Sequence, residues 1–257
     1  MNQTQQFYDG LASDYTYIFS DWNEWVRYQA DTLHPFLTNL GFPDGATILD
    51  TTCGIGTQAI ALAIKGYHVR GLDLSPDSIA QAKANAEQFN LIHPITFDVA
   101  DLLVTPQNPK QYDVVMAMDN PIAHFLTDDD LYTAFTTMKS YLKPNGLLMT
   151  SIRDYDDMTQ KRPRQSQVSI TDHDETRRII FQVWDWYEDA SRYESEMFVL
   201  TQTGDAWQTK SHKTSFRAWQ RADVTHILAQ VGLSDSQWHM PDESGFYQPI
   251  VTARLQF

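Results

Sequence analysis

Cysteine is nearly absent: the 257 residues contain one, Cys53. A single thiol closes no internal disulfide, and no cysteine–histidine cluster has the spacing of a zinc site. A reducing compartment, the cytoplasm, and no structural metal are therefore expected. Long apolar runs are lacking too. No segment approaches the ~20 uninterrupted apolar residues of a membrane helix. The first residues, MNQTQQFYDG, carry neither the basic nor the apolar block of a secretory leader, so a soluble, unprocessed chain is expected. Positive charge is scarce, with 19 Lys and Arg against 33 Asp and Glu and a formal net charge of −14. Such a balance repels phosphate backbones, which makes nucleic acid and anionic membranes poor partners. The densest basic run, Lys161-Arg162-Pro163-Arg164, is interrupted by proline and reads as a solvated loop. Internal repeats and low-complexity tracts are missing as well. The partner left is a small-molecule substrate, and a homo-oligomer is compatible with the composition.

What is present is apolar material, 42% of the chain, enough at this length for one core with an elaboration: a single domain over 1–257. Residues 1–44 read as a helical amino-terminal cap, with Val26, Ala30, Leu33 and Leu37 on one helical face ahead of Gly41. Residues 45–153 alternate short apolar runs with helical periodicity, the pattern of a parallel sheet with crossover helices. Strands are expected at 47–49, 68–72, 95–97, 113–118 and 147–153. Helices are expected at 57–65, at 76–89 behind a Ser75 cap, and after Thr127, whose three following aspartates suit a helix start. Residues 155–175 are polar. Residues 178–187, 192–203 and 207–219 then read as three antiparallel strands of an insert or lid spanning 155–220. Residues 221–257 supply a last helix, stopped by Gly232, and a closing hairpin. The expected class is α/β: a Rossmann-like doubly wound sheet with an antiparallel three-stranded insert after the fifth strand.

The segment ILDTTCGIGTQAIAL carries the chemistry. An apolar strand ends in Asp50, and a turn holding Gly54 and Gly56 leads into a helix. Glycine allows positive φ and close approach of backbone to ligand. Gly54 to Ala59 also satisfies the loose Gly-x-Gly-x-x-Ala dinucleotide fingerprint, so a nicotinamide cofactor has to be weighed. Two acids tilt the balance to S-adenosylmethionine. Asp50 can hold the ammonium of its methionine moiety, a cation NAD lacks. Asp101, in FDVADLL, is spaced to receive the adenine amino group, with Leu102, Leu74 and Met118 against the ring. Asp73, at the end of the second strand, suits the ribose hydroxyls of either cofactor. The bland alternative for all three aspartates is a turn or cap.

These residues resemble the class I S-adenosylmethionine-dependent methyltransferases over about 45–153, and the resemblance implies a seven-stranded sheet whose last strand is antiparallel. Thr51-Thr52-Cys53 departs from the smaller, more glycine-rich turn common there.

Two further segments, MDNPIAHF after the fourth strand and SIRDYDD after the fifth, lie where open α/β sheets bind ligands. Arg153 offers a fork that matches a carboxylate, and Asn120 an amide to orient it. The competing reading of Arg153 is an ion pair with Asp154, Asp156 or Asp157 on a loop; that of His124 is structural packing rather than base catalysis. Together with the WDW-containing insert and the ending FYQPIVTAR, these segments resemble the glycine and sarcosine N-methyltransferase family. The resemblance implies that Arg153 holds the substrate carboxylate and Asn120 places the substrate. It also implies that Tyr15, Trp22 and the strands over 178–219 close the site. The expected activity is methyl transfer to the nitrogen of a small carboxylate-bearing amine. The alternatives are another small-molecule acceptor, such as a phenol or metabolite amine, and a non-catalytic S-adenosylmethionine-binding module.

Overall fold

The computed structural model describes residues 3–91, 93–173, 176–233 and 235–255. The chain opens with helix α1 (Gln3–Leu11), a 3₁₀ turn at Tyr15–Ile18 and the long helix α2 (Trp22–Asn39). Asp21 caps α2 by accepting from Glu24 N, and its apolar stripe, Val26, Ala30, Leu33 and Leu37, is fully buried. Then follow β1 (Thr47–Asp50), α3 (Thr57–Ile64), β2 (His68–Asp73), α4 (Pro76–Ala86), β3 (Thr96–Val99) and β4 (Tyr112–Ala117). After a 3₁₀ turn at Pro121–His124 come α5 (Asp128–Ser140) and β5 (Leu142–Ser151). Ser75 and Thr127 cap α4 and α5, each hydroxyl accepting from the backbone N–H three residues on.

Beyond β5 the chain forms α6 (Tyr155–Lys161) and four strands: β6 (Ser169–His173), β7 (Thr176–Trp186), β8 (Arg192–Thr203) and β9 (Ala206–Arg217). It ends with α7 (Arg221–Gln230), β10 (Ser236–His239), the single turn α8 (Pro241–Ser244) and β11 (Ile250–Arg254). The main sheet runs β10-β11-β5-β4-β1-β2-β3. Its strands β5, β4, β1, β2 and β3 pair parallel, while the last strand, β11, lies antiparallel between β5 and β10. That is the seven-stranded doubly wound order with a reversed final strand, and it brings the carboxyl ends of β1, β2, β4 and β5 to one edge.

The insert corrects the sequence reading. It is a four-stranded antiparallel sheet, β6-β7-β8-β9, and not three-stranded. The extra strand, SITDH, is short and half polar, so it carries no hydrophobic run; its register opposite β7, Ser169 facing Ile180, recruits it. The polar stretch before it also begins with a helix, α6, which Asp154 caps and which buries Tyr155. Of the described residues, no helix is long and apolar enough to cross a membrane, and none cluster as metal ligands.

Two apolar layers flank the main sheet: one between the sheet and α2, α3 and α4, the other beneath α5, α7 and the insert. The first layer is tight at Gly71 on β2, where an added Cβ would sit 2.5 Å from Phe97 Cδ1 and 2.8 Å from Cys53 Sγ. Gly71→Ala is therefore expected to destabilise the fold by about 1–3 kcal/mol, read as a lowered midpoint in chemical unfolding; an unchanged midpoint would show that Phe97 yields freely.

Candidate functional site

A cleft of about 320 Å³ opens over the carboxyl ends of β1, β2 and β4. The turn 51–54 forms part of its wall, and the backbone there needs its glycines: Gly54 has φ +53 and Gly56, the residue before α3, has φ +93. A Cβ on Gly56 would also press to 3.0 Å on Ile60 Cδ1 and 3.3 Å on Ala82 and Phe97. Gly54, Asp73, Leu74, Asp101, Leu102 and Met118 all line this cleft. Asp73 accepts from Gly54 N at 2.8 Å and from Ser75 N at 2.9 Å, so the acid ties the turn to the end of β2. Burial raises its pKa against those donors. Asp101 accepts from Leu103 N at 2.9 Å.

Asp50 lies beneath the cleft and not on its wall. It is 1% exposed, and among the described residues its Oδ1 accepts only a 3.3 Å bond from Thr52 N and its Oδ2 has no partner. Burial, reinforced by the charge of Asp73, pushes its pKa up to about 8. An orphaned buried carboxylate oxygen costs free energy unless a donor meets it, and the ammonium of an amino-acid moiety is a donor of the right charge.

A second cavity, of about 540 Å³, adjoins the first, and Tyr8, Tyr15 and Asp119 line both. Asp119 and Asn120 form the bend after β4, with φ of 73° and 68°. Two consecutive left-handed non-glycine residues cost of order 1–3 kcal/mol each. The bend is held by Asp119 N donating to Ser151 Oγ at 2.7 Å and Asn120 N donating to Ser151 O at 3.1 Å, both on β5. The Asn120 carboxamide oxygen accepts from Arg153 N at 3.1 Å and fixes the start of the loop after β5.

Arg153 faces the second cavity through an aromatic frame supplied by the insert. Its Nη1 donates to Tyr193 Oη at 2.6 Å and its Nη2 reaches Gln182 Oε1 at 3.4 Å. Its guanidinium carbon lies 5.0 Å from the Trp184 ring centre and 5.3 Å from that of Phe216. The aspartates that competed for it are taken: Arg221 pairs with Asp154 at 2.8 Å and Asp156 at 3.6 Å, and Lys161 with Asp157 at 2.7 Å. Among the described residues no carboxylate lies at ion-pair distance from Arg153. Although burial opposes its charge, neighbouring Tyr193 and Tyr155 raise its pKa above the ordinary arginine value.

The amino-terminal segment roofs both cavities. Helix α1 lays Phe7 and Leu11 against Ile180, Met197 and Val199 of the insert, and Asp9 accepts from Ser75 Oγ at 2.5 Å. Burial raises the pKa of both Tyr8 and Tyr15, leaving neutral phenols. Trp22 lines neither cavity: its Nε1 donates to Thr57 Oγ1 at 3.1 Å and its ring meets Phe89 edge-on, so in this structure it secures α2 to the start of α3. His124 lies on the cofactor-side cleft, bonded to Tyr8 Oη at 2.9 Å; burial, then the charge of Arg153, drops its pKa to about 3. It therefore stays neutral at ordinary pH. Asp119, Tyr193 and Gln182 join the site without having been singled out in the sequence. Their signal is absent there, because a left-handed bend and the facing of a distant sheet leave no local pattern.

The strand order, the glycine turn and the acids at the ends of β1, β2 and β3 together define the class I S-adenosylmethionine-dependent methyltransferase fold. Residues 48–146 match the family model described as "Methyltransferase domain". Over 182 residues the chain is 28% identical to a putative methyltransferase of Bacillus subtilis, covering 68% of this chain and 66% of the relative. Over 160 residues it is 25% identical to a glycine/sarcosine N-methyltransferase of Parasynechococcus marenigrum, covering 61% of this chain and 55% of the relative. A third or more of each of these curated relatives thus lies outside the match. A solved S-adenosylmethionine-dependent methyltransferase from Clostridium acetobutylicum superposes with a TM-score of 0.72 at 16% identity, covering 97% of this chain and 99% of that one. Residues 48–146 thus carry a methyltransferase domain, and the chain as a whole has the class I S-adenosylmethionine-dependent methyltransferase fold.

Proposed function

We propose that the protein transfers a methyl group to the nitrogen of a small amine bearing a carboxylate, of which glycine and sarcosine are the simplest members. The observation that carries this reading is Arg153, a half-buried guanidinium without an anionic partner among the described residues, framed by aromatic rings on the second cavity. A buried cation is held at a cost that a matching anion offsets, and a carboxylate fits the guanidinium fork through two parallel hydrogen bonds.

Asp50 would hold the cofactor's ammonium, directly or through water, Asp73 its ribose hydroxyls and Asp101 its adenine amino group, with Leu74, Leu102 and Met118 against the ring. Gly54 leaves the turn room for close approach, while Gly56 supplies the left-handed backbone that starts α3. Bound there, the cofactor supplies a methyl already activated on sulfonium. The chain's own part is alignment: effective molarities from orientation alone lower barriers by about 7–11 kcal/mol. Asn120 serves this by fixing the backbone of Arg153, and Tyr15, on both cavities, by narrowing the passage between cofactor and acceptor. Neutral Tyr8 and Tyr15 add hydrogen-bonding groups without a competing charge.

The test is release of S-adenosylhomocysteine from S-adenosylmethionine with glycine, sarcosine, dimethylglycine and other carboxylated amines, beside matched amines and phenols that lack the acid. Turnover confined to the carboxylated set is the expected result. Turnover only with acceptors lacking an acid would replace it with a phenol or simple-amine reading, and tight cofactor binding with no turnover on any acceptor would point to a binding module.

A further inference from the structure

The second cavity is larger than the simplest carboxylated amine requires. Its volume, about 540 Å³, falls within the ~300–1,000 Å³ of pockets that enclose drug-sized ligands, whereas glycine is a handful of atoms. Besides its polar groups it has an apolar wall: Phe7, Leu11, Ile18 and Met197, which belong to one cluster joining α1, the 3₁₀ turn and the insert, with Phe19 and Met158 also lining the space. Phe7, Leu11 and Met197 are buried there, at 6%, 1% and 5% exposed, whereas Ile18, Phe19 and Met158 are only partly buried, and a polar occupant as small as glycine would leave those three facing water.

The threshold to the cofactor cleft, meanwhile, carries a single carboxylate. Of the three residues on both cavities, Tyr8 and Tyr15 are neutral phenols and Asp119 is the acid. The other acid on the second cavity, Asp154, is engaged by Arg221 at 2.8 Å. Asp119 is met by neutral donors: Gln248 Nε2 at 3.1 Å on its Oδ1 and the Tyr247 phenol. Among the described residues no cation pairs with it. The cavity therefore offers one unpaired cation, Arg153, and one unpaired anion, Asp119, the latter at the side from which the methyl group arrives.

We propose that this is an amino-acid site: Arg153 takes the carboxylate and Asp119 accepts a hydrogen bond from the nitrogen, which gives its ammonium proton to solvent and attacks as the neutral amine, so that the N–CH3 bond forms as the sulfonium S–CH3 bond breaks and S-adenosylhomocysteine leaves. The acceptor class that fills it is an α-amino acid with a bulky apolar side chain, which packs against the partly buried Ile18, Phe19 and Met158. The inference rests on the carboxylated-amine reading above and narrows it.

Two measurements test it on the intact protein. The first is kcat/KM for glycine, sarcosine, leucine, methionine, phenylalanine and tryptophan. The second is thermal stabilisation by the same acids in the presence of S-adenosylhomocysteine, which reads binding without turnover. At least a tenfold preference for one of the bulky acids over glycine is expected in both. Asp119→Asn, which keeps the shape of the bend and an oxygen for Gln248, is expected to lower kcat/KM for that acid about a hundredfold, mainly through KM. It should abolish the stabilisation by the acid, while stabilisation by S-adenosylhomocysteine alone reports a folded variant. A preference for glycine or sarcosine overturns the bulky class and leaves the broader reading standing. Equal behaviour of the parent and Asp119→Asn overturns the role of Asp119. No response to any carboxylated amine overturns this inference and the reading beneath it together.

Discussion

Arg153→Ala is expected to lower kcat/KM for carboxylated amines by about 10²–10³-fold, with KM taking most of the change. Removing one partner of a desolvated charge pair costs about 2–5 kcal/mol, and each 1.4 kcal/mol is a factor of ten. Arg153→Lys should recover only part of the loss, because an ammonium keeps the charge and forfeits the fork. The variant also takes a 2.6 Å donor from Tyr193, but Tyr155 lies 3.2 Å from the same hydroxyl and can replace it, so the fold should survive. Acceptors without an acid provide the internal control: if their turnover falls as far as that of the carboxylated set, Arg153 is a structural residue and the carboxylate clamp is lost as an explanation.

The second large effect concerns Asp50, where stability and cofactor binding should move in opposite directions. Burial holds the folded-state pKa near 8, against 3.8 for the unperturbed group. Between those values the folded chain keeps a proton that the unfolded chain gives up. The stabilising contribution of that proton is therefore complete below about pH 4 and lost by about pH 8, after which it no longer changes. Asp50→Asn keeps a neutral group at every pH, so melting of the cofactor-free protein should occur at higher temperature than the parent at pH 8, and the difference should vanish toward pH 4. The same substitution withdraws the anion proposed to meet the cofactor's ammonium. Affinity for S-adenosylmethionine is expected to fall roughly 10–100-fold, for a charge-assisted bond of about 1.5–3 kcal/mol, and in the parent it should strengthen as pH rises from 6 to 8. Thermal melts across this range with and without the cofactor separate the two effects. A variant that is both less stable and as tight a binder would remove Asp50 from the site.

The elements legible in the sequence are those whose signal is local. The turn after β1 could be read because an apolar strand, an acid, two glycines and an apolar helix follow one another within a single segment, and each feature constrains the next. The stripe on α2 could be read because a period of three and four survives in the letters. Elements that depend on a distant partner could not. Strand β6 has no apolar run and exists because β7 offers it an edge; α6 is a capped helix of about two turns inside a polar stretch. Trp22 shows the same limit from the other side. A tryptophan near the expected lid suits a ligand contact, but its N–H finds Thr57 and its ring finds Phe89 across the fold. Arg153 and Asn120 could be singled out because each lies just past the end of a strand, whereas the frame around the guanidinium, Tyr193, Gln182, Trp184 and Phe216, comes from strands that begin tens of residues later and meet it only in three dimensions.

Among the described residues the strands of the insert pair with one another and with none of the seven strands of the main sheet. The two sheets of the domain thus rest on separate backbone ladders. Substitutions that reshape the aromatic frame or the apolar wall leave the backbone ladders under the methyl donor untouched. Acceptor preference can drift among descendants of this chain while the donor stays the same, and changes of substrate in such a lineage should be sought first in the insert and the amino-terminal helix.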